Sequence, residues 1–460
     1  MNNEELQKAL GPISSLIKEE ELEFIRFEFS DMYGISRCKI IPARYFVDKA
    51  SNGLEMPLCH LALTVDGVLL TETPYGDDII GFGDATWFPA ADTYRVIPWC
   101  RKTASILLEP TYKGDMVTCF PRFIARQQLE RLKNLGISLF AAHEHEFYVV
   151  DRESKKPLTQ DSCLRSTLRT YADTDLLYQL MADLPKVGVE VEAGETEHGD
   201  GQMEITYKPA FGIRAADNAH IFKTAVKEIA QQRGYIATFM SKPYHDQMGS
   251  SAHFCHSLWD IDGKKSVLYD ANSKIGLSKI GQHWMAGILK HARAMTLLMA
   301  PTTNCYKRHG QQSYVNTRPN WGIDNRTCML RVKINGSRGT FFEARNCASA
   351  SNPYLTLAAV VAAGIDGIER ELPLVAPETG DTFKLKRIDD ESDNKAIPRN
   401  LSLAMDAFQS DDVIRKAFGD DFCKVFLALK SYEMKAKLVN DKSQEEDSYG
   451  WDRKMFFKYM

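Results

Sequence analysis

Residues 141–150 read AAHEHEFYVV, an apolar strand interrupted by ionisable side chains at 143, 144, 145 and 146. Successive strand side chains face opposite ways, so Glu144 and Glu146 share one face while His143 and His145 share the other. Any fold that takes this segment needs a sheet with one face that tolerates two like charges side by side. Taken alone, a solvated face explains the pair. The alternative is something cationic resting on the carboxylates.

The flanks put this strand in a larger unit. PRFIARQQLERLKNLG, at 121–136, has Pro in its first turn, apolar residues at helical spacing and a closing Gly, which predicts a helix. Further helices are expected at 213–233, 282–300 and 352–369, and strands near 202–207, 249–258, 328–334 and 340–345. Ahead of them, a polar leader gives way at LEFIRFEFSD to short strand-like runs and turns, as far as ASILLEP at 104–110. Segregated helices and antiparallel-looking strands favour an α+β class over a doubly wound one. The expected division is a small β-rich domain over 16–112 and a larger domain over 113–460, with 370–400 a surface excursion.

Composition narrows the function classes. With 44% apolar and 26% charged residues and a net charge of −4, the chain has ordinary globular composition and gives no reason to expect nucleic acid. The start, MNNEELQKALGP, is polar and acidic and is expected to be neither a signal nor a transit peptide. The longest apolar run, 354–365, is too short to span a bilayer. Cysteines scattered without a Cys-x-x-Cys fit reduced thiols in a cytoplasmic protein.

Three more stretches change the weight of the opening pair. ETEHGDGQMEITYKP (195–209) carries Glu197 and Glu204 on either side of a Gly-Asp-Gly turn. MGSSAHFCHSLWD (248–260) places His253 on a strand after small residues, and GTFFEAR (339–345) places Glu343 and Arg345 on one face of another. Singly these are loop acids, a core histidine and a salt bridge. Together, Glu144, Glu146, Glu197, Glu204 and Glu343 with His253 would crowd like charges, at a cost that burial increases. Mg2+ or Mn2+ would relieve it, because hard cations take oxygen-rich sites with little sulfur. Arg308, Arg326, Arg331 and Arg345 each have a salt-bridge reading, but as a group they suit phosphate oxygens and a substrate carboxylate. Metal-binding carboxylates beside arginines are the layout of phosphoryl transfer from ATP, here without a Walker-type loop.

In chain order, six motifs resemble the glutamine synthetase family nearly end to end. They are the Glu-x-Glu strand, Glu…Gly-Gln-x-Glu, Gly-Ser-x-x-His, Tyr-Lys-Arg, Asn-Arg-Thr…Arg, and Glu-x-Arg…Asn-Pro-Tyr. The resemblance implies a small N-terminal β-grasp domain, seen in FIRFEFSDMYGISRCKIIP, and a catalytic domain with an antiparallel sheet and surrounding helices. It implies two sites for Mg2+ or Mn2+, one held by Glu146, Glu197 and Glu204, the other by Glu144, His253 and Glu343. Arg308 and Arg345 match positions that hold substrate or transferred phosphate. Arg326 and Arg331 match nucleotide and phosphate contacts, and Ser257 falls near a nucleotide-contacting position. The implied chemistry is phosphorylation of a glutamate side-chain carboxylate by ATP, then attack on the acyl phosphate by ammonia or an organic amine. The implied assembly is a ring-shaped homo-oligomer of twelve subunits.

The departures concern the other substrate. Met248 stands where the family usually has an Asn contacting glutamate, and Cys255 where it commonly has a second His. Tyr314 takes the place of the Glu of the flap in ammonia-using enzymes, and the Asp-Gly-Ser that helps deprotonate ammonium has only Asp66-Gly67-Val68 as a loose counterpart. WDIDGKKSV, FGIRAADNA and FEFSDMYGISRCKIIPA look closest to the branch containing lengsin, a vertebrate lens protein viewed as non-enzymatic, with a proposed cytoskeletal role. Two functions therefore stand: an ATP-dependent carboxylate–amine ligase acting on small molecules, and a lengsin-like structural protein with a cytoskeletal partner. The complete ligand set favours the ligase.

Overall fold

A computed structural model describes residues 3–76, 81–160, 163–309, 315–384, 396–441 and 449–460. The polar leader forms a helix, Asn3–Glu19, which buries Leu10, Ile13 and Ile17 at helical spacing. Two sheets follow. The first, seven-stranded among the described residues, comprises β1 (Phe24–Ser30), β2 (Ser36–Pro42), β3 (Leu54–Pro57), β4 (Asp84–Pro89), β5 (Arg95–Val96), β6 (Thr103–Tyr112) and β7 (Asp115–Met116). Its order is β2-β1-β6-β4-β3, with a parallel β1–β6 pair at the centre and antiparallel neighbours. The expected run of short strands is this sheet.

The second sheet holds the site. It has nine strands among the described residues: β8 (Ile137–Asp151), β9 (Val191–Thr196), β10 (Gln202–Tyr207), β11 (Ala210–Phe211), β12 (Tyr235–Thr238), β13 (Ala252–Asp260), β14 (Trp321–Ile323), β15 (Leu330–Lys333) and β16 (Phe341–Ala344). The order is β14-β15-β16-β13-β8-β10-β9, antiparallel except for the β14–β15 pair. β8 is the axis: β10, β11, β12 and β13 all pair with it. The mixed architecture is α+β.

The alternation in AAHEHEFYVV decides which face is core. His143 and His145 are buried against Phe254 and Phe222, with the helix Arg214–Gln232 supplying Phe222. Burial first, then the charge of Lys223, lowers His143 to about 3, so it packs as a neutral ring. The larger helices form a second layer. Pro353–Glu369 is buried around its whole circumference over most of its length, and it crosses Lys279–Met299 backbone to backbone. A Cβ on Gly287 would lie 2.1 Å from the Ala363 carbonyl oxygen, so the crossing admits only glycine there. Asn352 caps the first of these helices, its side chain accepting from the Tyr354 N–H at 3.0 Å with Pro353 at the first position. The same side chain donates to the Asp31 carbonyl at 2.9 Å, fastening the β1–β2 turn to the helix.

Candidate active site

Strand register gathers the carboxylates. β13 runs antiparallel to β8 with His253 opposite Glu144, and β10 sets Glu204 opposite Glu146. β16 places Glu343 across from Cys255, and β15 places Arg331 across from Glu343. Glu197 sits just past β9, where its N–H donates to the Gln202 carbonyl at 2.9 Å and closes the β9–β10 turn.

Side-chain geometry divides the set differently from the two triads implied by resemblance. Ligand-capable atoms of Glu144, Glu204 and His253 lie within 4.8 Å of one another, and so do those of Glu195, Glu197 and Glu204. Glu204 is common to both groups. Glu146 turns to its own neighbours, its Oε2 accepting from the Ser251 N–H at 2.8 Å and from Gln202 Nε2 at 3.4 Å. Glu343 accepts from Arg331 Nη1 at 3.0 Å and from Arg345 Nη1. His253 Nδ1 is buried without a hydrogen bond, 3.5 Å from Glu343 and 3.9 Å from Glu144. All six expected ligands thus border one cluster.

Glu195 was missed by sequence reasoning. Its signal was available: Glu195-x-Glu197 repeats the spacing of Glu144-x-Glu146. It also accepts from the Arg165 guanidinium.

The charges are unevenly held. Burial pushes Glu204 up, and the neighbouring Glu144 and Glu146 push it further, far above the usual carboxylate range. Burial opposes ionisation of Glu144 too, yet His253, the shared bond with Glu204 and the Arg345 charge outweigh it and hold Glu144 low. The two carboxylates behave as one proton-sharing pair. Burial, with Glu197, lifts Glu146 to about 7 against the pull of His253, the Ser251 N–H and Arg308. Crowded carboxylates with an orphaned buried imidazole nitrogen among them are a donor set that fits hard divalent cations.

Two cavities flank the cluster. One, of about 390 Å³, is lined by Glu146, Glu197, His253, Arg308, Arg326 and Arg345. Arg308 is 1% exposed and donates to Ser251 Oγ at 2.6 Å. Met248 also lines it, its carbonyl accepting from the Tyr148 hydroxyl at 2.6 Å. The other cavity, of about 500 Å³, is lined by Glu144, Cys255, Ser257, Asn335 and Arg338. Ser257 Oγ accepts from Trp259 Nε1 at 2.9 Å, and burial raises the Cys255 thiol. The three expected nucleotide contacts are therefore separated. Ser257 lines one cavity and Arg326 the other, while Arg331 lies between Glu343 and Asp324. Asp66 accepts from Thr64 and Tyr432 and lines neither cavity. Tyr314 lies outside the described residues.

The family model for the catalytic domain of glutamine synthetase matches residues 118–449. The chain belongs to the glutamine synthetase family. Among relatives of this family member, lengsin from Canis lupus familiaris is 33% identical over 99% of this chain and 76% of its own length. The glutamate–isopropylamine ligase of a Pseudomonas species is 30% identical over 94% of this chain and 96% of its own length. The gamma-glutamylethanolamide synthetase of Streptomyces coelicolor is 32% identical over 92% of both chains. Among solved structures, GmaS in complex with ADP superposes with a TM-score of 0.81 at 25% identity, over 96% of this chain and 98% of that one. The family includes glutamine synthetases, ligases that use ATP and divalent metal ions, and this member keeps the family's fold. No helix among the described residues is long and apolar enough to cross a membrane.

Proposed function

We propose that the protein is an ATP-dependent ligase joining the side-chain carboxylate of glutamate, or of a glutamate-like acid, to an amine through an acyl phosphate. One observation carries this: the acid cluster lies between two cavities, with Arg308 and Arg345 on one side and Ser257 on the other. ATP is assigned to the cavity lined by Ser257 and Arg338, and the acid to the cavity lined by Arg308. Glu144, Glu146, Glu197, Glu204, His253 and Glu343 would hold Mg2+ or Mn2+ at two sites, where the ions would offset phosphate charge. Arg308 and Arg345 orient the acid and the transferred phosphoryl group, as bidentate donors to planar anions. Arg326, which lines the acid-side cavity, and Arg331, between Glu343 and Asp324, serve phosphate oxygens of the group being transferred.

The amine is an organic one. Met248, Leu164, Val315 and Phe383 contribute apolar walls to the acid-side cavity, which suits a substituted nitrogen better than ammonium. Relatives named as an isopropylamine and an ethanolamide ligase support the same direction. With this function go a domain boundary near 112, cytoplasmic residence and a ring-shaped homo-oligomer of twelve subunits.

Phosphate release from Mg-ATP across a panel of acids and primary amines tests the proposal, with Glu343→Ala as the inactive control. Absence of turnover with every pair, together with no nucleotide-dependent thermal shift, would sink it. That outcome would favour the second reading, a lengsin-like structural protein with a cytoskeletal partner. Two observations speak for that reading: the identity to lengsin, and the engagement of Glu343 by both Arg331 and Arg345.

A further inference from the structure

We infer that Arg169 is a positioning residue for the metal-binding carboxylates, a role that rests on the cluster reading above. Arg169 lies on the short helix Thr167–Ala172, outside every motif that marks the site, and is 2% exposed. A buried arginine ordinarily answers to a carboxylate. This one hydrogen-bonds to a turn, while its charge also favours the ionised form of the buried Asp173. Its Nη1 donates to the Glu197 carbonyl, and its Nη2 donates to the carbonyls of Gly199 at 2.5 Å and Gln202 at 3.1 Å. These acceptors all belong to the β9–β10 turn, which carries Glu197 at its start and leads two residues later into Glu204.

The turn is tied on several sides. The Gly199 N–H donates to Gln202 Oε1 at 2.9 Å, the Asp200 N–H to Gln247 Oε1 at 2.8 Å, and the Gly201 carbonyl accepts from the Val149 N–H at 2.9 Å. Arg169 bridges its two ends. The Gln202 carbonyl already accepts from the Glu197 N–H, and the Gly199 carbonyl from the Gln202 N–H at 3.0 Å. Carbonyls have two lone pairs, and the guanidinium takes the second of each. The Gln202 side chain then spans to the Gly249 carbonyl and to Ser250 Oγ, both at 3.1 Å, and to Glu146. Arg169 thereby fixes the backbone from which three members of the cluster are set: Glu197 and Glu204 directly, and Glu146 through Gln202.

The fork is what matters. A lysine keeps the charge but presents its donors from one atom on an unbranched stem, so it cannot match three carbonyls spread along a turn. Arg169→Lys and Arg169→Gln would be made in the full chain. Each would be read by amide hydrogen exchange over 197–204 and by Mn2+ affinity from electron paramagnetic resonance. The expected result is faster exchange confined to the turn in both variants, and Mn2+ binding weakened about 10- to 100-fold even in the charge-retaining one. Mn2+ affinity within twofold of the unsubstituted protein in both variants would overturn the inference. So would loss of cooperative folding in both, because a residue that only positions a turn leaves the remaining fold standing. If the unsubstituted protein binds no Mn2+, the metal reading fails, and unchanged exchange in the variants would then sink the role of Arg169 separately.

Discussion

Arg122 grips both carboxylate oxygens of Asp217, Nε to Oδ1 at 2.9 Å and Nη2 to Oδ2 at 3.0 Å. The pair joins the helix Pro121–Asn134 to the helix Arg214–Gln232. A third helix joins through the Tyr354 hydroxyl, which donates to Asp217 Oδ1 at 2.7 Å, and β6 of the first sheet joins through Glu109. Both partners are nearly fully buried, so removing one leaves an uncompensated charge. Arg122→Ala is expected to cost about 3–5 kcal/mol in urea denaturation. The Arg122→Met, Asp217→Leu double variant should recover part of that loss, because the buried pair leaves together and Glu109 keeps Arg126, while the Tyr354 hydroxyl loses its acceptor. A double variant as unstable as the single would mean that packing, and not charge, makes the joint.

The acid cluster predicts a trade between stability and binding. Glu204 stands within reach of Glu144 on one side and of Glu195 and Glu197 on the other, with only 6% of its surface exposed. Without a cation, these like charges oppose the fold. Glu204→Gln keeps the shape and removes the need, which burial and the neighbouring Glu144 and Glu146 impose, for Glu204 to take up a proton on folding. The metal-free variant should melt about 1 °C above the unsubstituted protein for each roughly 1 kcal/mol gained, the shift expected for a chain of 460 residues. Its stabilisation by Mn2+ should shrink in the same thermal scan, because the lost ligand raises the dissociation constant. A variant that melts lower without metal would show that Glu204 is held by partners rather than strained by neighbours.

His291 gives the stability a pH dependence away from the site. Its Nδ1 lies 2.6 Å from Asp411 Oδ2 and its Nε2 2.9 Å from Asp366 Oδ2, joining three helical segments. Burial would lower the imidazole, but the two carboxylates outweigh it and raise it above its ordinary 6.5. Burial likewise opposes ionisation of Asp411, and His291 with the Ile414 and Val413 N–H groups wins, taking it below 3.8. A raised histidine stabilises below its unfolded value and loses that contribution as pH climbs through the folded one. A lowered aspartate stabilises above its unfolded value and loses the contribution as pH falls through the folded one. The bridge is therefore fullest between about pH 4 and 6.5. Melting temperature should fall from pH 6.5 towards 9 more steeply in the unsubstituted protein than in His291→Gln. Parallel profiles would contradict this account.

The site was legible because its chemistry follows strand parity. AAHEHEFYVV, Gln202-x-Glu204 and Glu343-x-Arg345 each put candidate site side chains at a spacing of two, and β8, β10 and the end of β16 bring them to one region. Register was not legible. No local pattern states that His253 falls opposite Glu144 or that Glu204 serves two groups, since pairing depends on strands more than fifty residues apart in sequence. The leader helix was hidden because Leu10, Ile13 and Ile17 are few among polar residues, and their period shows only once a partner surface is present. Arg169 escaped for a related reason: its partners are carbonyls, which carry no trace in the sequence of side chains.

Gly249 offers a test of Arg308 that leaves Arg308 in place. A Cβ at 249 would lie 2.7 Å from Arg308 Cγ and 3.1 Å from the Ser241 carbonyl oxygen. Cγ is near the root of the side chain, so rotating the guanidinium end cannot relieve the contact. The backbone cannot withdraw freely either, because the Ser250 N–H bonds the Ser241 carbonyl at 2.7 Å. In Gly249→Ala the arginine has to swing, and its bond to Ser251 Oγ lengthens or breaks. A displacement of about 1 Å in an orienting group costs on the order of 100-fold in rate. Gly249→Ala should therefore lose about that factor in kcat/KM for the acid substrate, while KM for ATP, which is assigned to the opposite cavity, stays within a few fold. An equal loss on both substrates would place Arg308 at the shared reaction centre, and an unchanged kcat/KM would remove it from the machinery.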